Sequence, residues 1–216
     1  SFGESEAERV ERNLTYLEEV IMYEGPETIA AMFVETVTGT NGIVPPPAGY
    51  LKGLRKILDK YGILLVCDEV MCGFGRTGKM FAFEHFGIVP DILTMAKGLT
   101  SSYAPMGCMA VSDPIAEHFK SNVFWGGLTY NAHCLGLATA EAVIDVMQEE
   151  GLVENSAKMG AIMRGHMERM KAKHPSVRSF RQIGLFGMMD LQRNLEGTRM
   201  APYNGTSEPM GKLGAH

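Results

Sequence analysis

The sequence contains no run of basic residues and its net charge is -5, so it lacks the electrostatic footprint of a nucleic-acid binder. It also has no apolar run of membrane-spanning length and no leader-type apolar segment, which together predict a soluble protein. Cysteine is scarce. Cys67, Cys72, Cys108 and Cys134 show no C-x-x-C spacing, which argues against a zinc site and predicts reduced thiols in the cytoplasm. What remains is an ordinary globular composition, 45% hydrophobic and 21% charged over 216 residues, enough for one core or one domain plus part of another. The chain opens on Ser1 and breaks off in "NGTSEPMGKLGAH", where a helical pattern is just beginning. A fragment of a longer polypeptide is expected.

The order of patterns is regular. Residues 4–24 place Val10, Leu14, Leu17 and Ile21 three and four apart behind early acids, predicting a helix that Gly25-Pro26 stops. "TIAAMFVE" (28–35) suits a buried strand, and the Gly- and Pro-rich "TVTGTNGIVPPPAG" predicts a loop. "YLKGLRKILDKYG" is an amphipathic helix closed by Gly62, followed by the strand-like "ILLVCD" (63–68) and "DILTMAK" (91–97). Beyond these the sequence predicts a strand "GCMAVS", a short helix opened by Asp113-Pro114, and a Gly-rich loop "WGGLTYN". Helices near 132–149 and 151–173 and a last strand, 183–192, complete the pattern. Strand alternating with helix predicts an α/β fold whose mostly parallel sheet is covered on both faces. Gly151 marks a boundary between a partial large domain, 1–150, and the beginning of a small C-terminal one, 151–216.

Three of the strand-like runs end in a charge: "IAAMFV" in Glu35, "ILLVC" in Asp68 and "DILTMA" in Lys97. Ligands in open α/β sheets sit at the carboxyl ends of the strands, so three such groups would line one pocket. An acid after a strand is also an ordinary cap or loop residue, and a lysine there is often simply solvated. If the three do converge, each is partly desolvated, and a desolvated lysine becomes a nucleophilic amine. A carboxylate beside such a lysine suits pyridoxal phosphate: the lysine for a Schiff base, the acid for the pyridine nitrogen.

A competing motif needs testing. Gly73-Phe74-Gly75-Arg76-Thr77-Gly78 spells G-x-G-x-x-G, with Asp91 beyond it in the place of a ribose-binding acid. In a dinucleotide site the first glycine follows its strand almost at once. Here Asp68 and Glu69 stand between strand and glycines, where fixed negative charge opposes a pyrophosphate. The stretch reads better as a strand delivering Asp68, then a mobile or interface-forming loop.

Read as a whole, "LLVCDEVMCGFGRTGKMFAFEHFGIVPDILTMAKGLTSSYAPMG" resembles the core signature of class III pyridoxal-phosphate aminotransferases. This is the fold-type-I group that includes ω-amino-acid, ornithine and γ-aminobutyrate aminotransferases. "VETVTGTNGIVPPPAGYLKGLRKILDKYG" before it and "GGLTYNAHCLGLATAEAVIDVMQEEGL" after it match in the same order, so the resemblance covers roughly residues 20–192. It implies Lys97 as the Schiff-base lysine and proton shuttle, and Asp68 as the acid that keeps the pyridine nitrogen protonated. It further implies Val70 on one ring face, Glu35 beside the cofactor's hydroxyl side, and Thr129 on the phosphate across a homodimer interface. Arg76 falls near that interface, where a plain surface ion pair is an equal reading.

The departures are Gly126, Ala132 and Cys134 in the family's H-G-x-T-Y-x-G-H-P stretch, and Thr36 where a proline is usual. Thr129 and His133 are kept; His133 reads equally as a helix-start hydrogen bonder. The family's upstream Ser-Gly phosphate loop, its ring-stacking aromatic and its C-terminal substrate-binding arginine are not in these residues. The resemblance implies ping-pong transfer of an amino group from an ω-amino acid or amine, of taurine or β-alanine type, to a keto acid such as pyruvate. Alternatives on the same fold are an aminomutase, a decarboxylating enzyme, or an inactive truncated product that keeps only the dimerisation surface.

Overall fold

A computed structural model describes residues 4–202 and 205–215. Helix α1, Glu6–Glu24, opens with a capping box: Ser5 Oγ accepts from Glu8 N, and the Glu8 carboxylate accepts from Ser5 N at 2.7 Å. Strand β1 (Ala31–Glu35) follows, then α2 (Tyr50–Tyr61), which stops at left-handed Gly62. β2 (Leu64–Asp68), β3 (Ile92–Met95) and β4 (Cys108–Val111) complete a four-stranded sheet in the order β1-β2-β3-β4. Its first three strands are parallel and β4 is antiparallel. α3 (Asp113–Ser121), α4 (Cys134–Glu149) and α5 (Leu152–Lys173) lead to a separate antiparallel hairpin, β5 (Val177–Ile183) and β6 (Phe186–Leu191). A short helix α6, Glu208–Gly214, answers the helical pattern at the end of the chain, whose Asn204 and His216 lie outside the described residues.

The core explains the order. Leu65 and Cys67 of β2, with Leu93 and Met95 of β3, point to one sheet face and pack under Ile21 of α1 and Leu51, Leu54 and Leu58 of α2. Spacings of three and four on α2 thus meet the period-two alternation of the strands. The expectation of a sheet covered on both faces holds only in part. The second face is closed at Val66, 1% exposed, and open at the edge strands, where Phe33 is 73% exposed and all of β4 is exposed.

The last strand differs from the sequence reading. Of residues 183–192, only Phe186–Leu191 form β6, one arm of a hairpin whose other arm, "VRSFRQI" (β5), ends at Ile183 and carries no strand signal in the sequence. Its polar residues hid it. Arg181 forks onto Asp190 of the facing strand at 2.8 and 3.2 Å, and Gln182 Nε2 donates to the Gly160 carbonyl of α5.

The G-x-G-x-x-G loop is packed against the hairpin and α5. Thr77 is 2% exposed, Arg76 O accepts from Leu185 N at 3.0 Å, and Gly78 lies 3.0 Å (from its would-be Cβ) from the backbone of Ala157 in α5. The loop is the seat on which the hairpin turn docks. Arg76 itself is exposed and makes no ion pair among the described residues. Asp91 lies at the opposite end of the strands from Asp68. It fastens the beginnings of β2 and β3 by accepting from Leu65 N (2.7 Å) and Arg55 (2.6 Å), so no nucleotide site is assembled. At the hairpin turn Gly184 has φ +57, and a Cβ there would run into the Thr77 carbonyl group. Gly184→Ala is expected to lower stability by about 2–4 kcal/mol, through overpacking and a left-handed backbone together. Gly62→Ala, with open space around the new methyl, should lower it by only about 1 kcal/mol. Denaturant unfolding of the two variants measures the contrast.

Candidate active site

Parallel pairing brings the ends of β1, β2 and β3 to one edge. Glu35 is the register partner of Asp68, and Asp68 that of Thr94, so the three side chains share one sheet face. Past Thr94 the chain continues through Met95 and extended Ala96 to Lys97, which has φ +46 and opens a 3-10 turn, Lys97–Leu99. A left-handed lysine is an uncommon, strained conformation of the kind found at functional sites. Leu99 N to Ala96 O (3.1 Å) and Thr100 Oγ1 to Ala104 O (2.6 Å) hold that turn. Lys97 itself is exposed.

Asp68 is half-buried. Its Oδ1 accepts from Val70 N at 2.8 Å, while its other carboxylate oxygen accepts no hydrogen bond among the described residues. The free oxygen leaves an acceptor available to a partner on the exposed side. Val70 follows the strand in a turn, outside β2. Glu35 is exposed, and its Oε2 accepts from Gly39 N at 2.8 Å, capping the loop that follows β1.

Thr129 is not brought to this edge. It stands exposed in the 122–133 segment, its hydroxyl has no partner among the described residues, and no described contact joins it to Asp68 or Lys97. Its neighbours Leu128, Tyr130 and His133 line a separate groove of about 540 Å³ with Met106 and Gly107. His133 is the N-cap of α4, its ring nitrogen accepting from Leu135 N at 3.3 Å, which settles it as a helix-start hydrogen bonder.

Two residues that position this edge escaped the sequence reading. Glu69, beside Asp68, is fully buried, and its carboxylate accepts from the N–H groups of Ala82 and Phe83, each at 2.9 Å. Phe74, at φ +53, packs so close to Gly98 that a Cβ added there would lie 2.7 Å from the Phe74 Cβ. The D-E pair and the Gly-Phe-Gly spacing were visible, but the partners lie 13 and more residues away. The two nearby thiols are inert by environment. Burial pushes Cys67 up to about 11, and burial with the adjacent Glu69 carboxylate drives Cys72 higher still.

Residues 1–206 match the family model described as aminotransferase class-III. The chain is 42% identical to a diaminobutyrate–2-oxoglutarate transaminase of Halomonas elongata, over 87% of this chain and 41% of that protein. It is 40% identical to a taurine–pyruvate aminotransferase of Bilophila wadsworthia, over 82% of this chain and 40% of the relative. Among solved structures, a taurine:2-oxoglutarate aminotransferase from Bifidobacterium kashiwanohense, in complex with PLP and glutamate, superposes with a TM-score of 0.91 at 40% identity. That match covers 100% of this chain and 48% of the other. The chain belongs to the class III aminotransferase family and has its fold-type-I α/β architecture. It spans a little under half the length of these relatives.

The Phe74–Gly98 contact yields a test. Gly98→Ala is expected to destabilise the protein by about 1–3 kcal/mol, and Phe74→Gly in the same chain, which removes the Cβ that the new methyl would meet, should recover part of that loss. Additive effects in the double-mutant cycle would remove the contact from the argument.

Proposed function

We propose that the protein moves an amino group from an ω-amino acid or amine to a keto acid such as pyruvate, in ping-pong fashion, with pyridoxal phosphate. The observation that carries the reading is the pairing of Asp68, with its unbonded carboxylate oxygen, beside the strand that runs directly into Lys97. The donor set suits the cofactor: a carboxylate for a protonated ring nitrogen and a primary amine on the same edge of the sheet. When bound, pyridoxal phosphate supplies an electron sink for charge developing at the substrate's Cα.

The chain's own residues would supply part of the rest. Asp68 would accept from the ring N–H through Oδ2 and favour a protonated nitrogen, because a carboxylate beside it in a half-buried setting stabilises the charged form. Lys97 Nζ would hold the cofactor covalently when no donor is bound and, once a donor amine has taken its place, would be the base that moves the substrate's Cα proton. Val70 would lie on a ring face and Glu35 on the hydroxyl side. Glu35 already spends one oxygen on Gly39, leaving the other for that role. Donors of taurine or β-alanine type are favoured by the taurine–pyruvate relative, while the diaminobutyrate relative widens the panel to be tried.

Thr129 fits a phosphate contact made to a second copy of the chain. A homodimer is supported by the apolar segment around it: Phe124 is 57% exposed, Trp125 92%, Leu128 75% and Tyr130 80%, more than a monomer's surface leaves open. The same reading assigns residues 1–150 to a partial cofactor-binding domain and 151–216 to the beginning of a smaller one. The separate four- and two-stranded sheets, with left-handed Gly151 between α4 and α5, support that division. Four free thiols support a cytoplasmic protein, and no helix among the described residues is long and apolar enough to cross a membrane.

Borohydride treatment of the protein with pyridoxal phosphate should fix the cofactor on Lys97, read by peptide mass spectrometry; a label on another lysine would overturn the assignment. Lys97→Ala should lower turnover by more than about a thousandfold. Asp68→Asn should retain the cofactor and slow turnover on the order of a hundredfold. A fully active Asp68→Asn protein would remove the aspartate from the chemistry.

A further inference from the structure

The most unusual side chain near the strand ends is one that the proposed chemistry leaves unused. Glu69 is 0% exposed, and among the described residues no cation pairs with it. A buried carboxylate is strongly unfavourable unless its oxygens are satisfied. Here they are satisfied by donors alone: Ala82 N on Oε2, Phe83 N on Oε1, and the Cys72 thiol on Oε2 at 3.2 Å. Ala82 and Phe83 begin the 3-10 turn Ala82–Phe86, so their N–H groups have no partner inside it. The carboxylate therefore closes the whole 70–81 loop from below.

The consequences run to both proposed site residues. Glu69 N donates to Thr94 O at 2.9 Å, extending the β2–β3 ladder one step beyond Asp68. At the far end of the closed loop, Phe81 meets Phe74 edge-on, with ring centroids 5.4 Å apart. Phe74 in turn lies against Gly98, the neighbour of Lys97. One buried side chain thus ties the strand end that carries Asp68 to the turn that carries Lys97.

We propose that Glu69 is a positioning residue that sets the placement of Lys97 relative to Asp68 by clamping the Ala82–Phe83 amides. The proposal rests on the functional reading of those two residues. Its demand is specific: both oxygens must accept, so an amide of equal size will not substitute. In Glu69→Gln the NH2 group faces an N–H donor and one hydrogen bond is lost. Glu69→Asp keeps the charge but is one methylene short of reaching both amides.

The test uses the full-length protein. Hydrogen exchange at Ala82 and Phe83 reports the clamp, the dissociation constant of pyridoxal phosphate reports the assembled site, and the pH midpoint of the bound cofactor's absorbance reports the Lys97 environment. Glu69→Gln is expected to speed exchange at both amides, weaken cofactor binding about tenfold, as loss of a hydrogen bond to a charged group implies, and move the pH midpoint. Glu69→Asp should fall between the two. Phe74→Leu, a milder change that keeps the clamp, should move the midpoint while leaving exchange at Ala82 and Phe83 as in the wild type. It carries the test if the Glu69 variants do not fold. Variants that melt earlier yet keep the wild-type dissociation constant and midpoint would reduce Glu69 to a structural residue and overturn the proposal. Failure of wild-type protein to trap the cofactor on Lys97 would instead overturn the functional reading, and the positioning role with it.

Discussion

The parallel register of β1, β2 and β3 is the constraint on which the rest depends. Because the strands run the same way, pairing Glu35 with Asp68 and Asp68 with Thr94 obliges every chain to leave the sheet at one edge. The hydrophobic alternation enforces that register: a slip of one residue would turn Leu65 and Cys67 away from α1 and α2 and bury Asp68 in their place. Core packing and site geometry are therefore the same specification.

The loop between β2 and β3 converts that edge into a shaped site. Its backbone passes under the hairpin turn, its Phe74, backed by Phe81, reaches the Lys97 turn, and its two ends meet at the buried Glu69 carboxylate. A glycine-rich motif here serves close approach between elements. In a dinucleotide site the same letters would bare backbone amides to a phosphate.

The sheet strands, the two long helices and the charged strand ends were legible in the sequence because each is a local signal. Apolar runs of strand length, Gly62 after an amphipathic helix, and Asp68 and Lys97 directly after apolar stretches all lie within a few residues of one another. The hairpin arm "VRSFRQI" was not legible, because its polar side chains become strand-compatible only once Asp190 and the Gly160 carbonyl are opposite them. Glu69 looked like one half of an acidic pair, and only folding shows it enclosed by amides 13 and 14 residues on. Val70 and Thr129 came from resemblance alone. The structure places the first in a turn beside Asp68 and leaves the second on an exposed segment.

Arg181 does more than pair with Asp190. Its Nε donates to the Gly42 carbonyl at 2.8 Å, across 139 residues, and so anchors the loop whose Gly39 amide holds Glu35. During synthesis that loop is made 139 residues ahead of its anchor, which emerges only when the β5–β6 hairpin leaves the ribosome. The edge that carries Glu35 is thus finished late, by a non-local contact of the kind that slows folding, while α1, α2 and β2 can collapse around their own leucines long before.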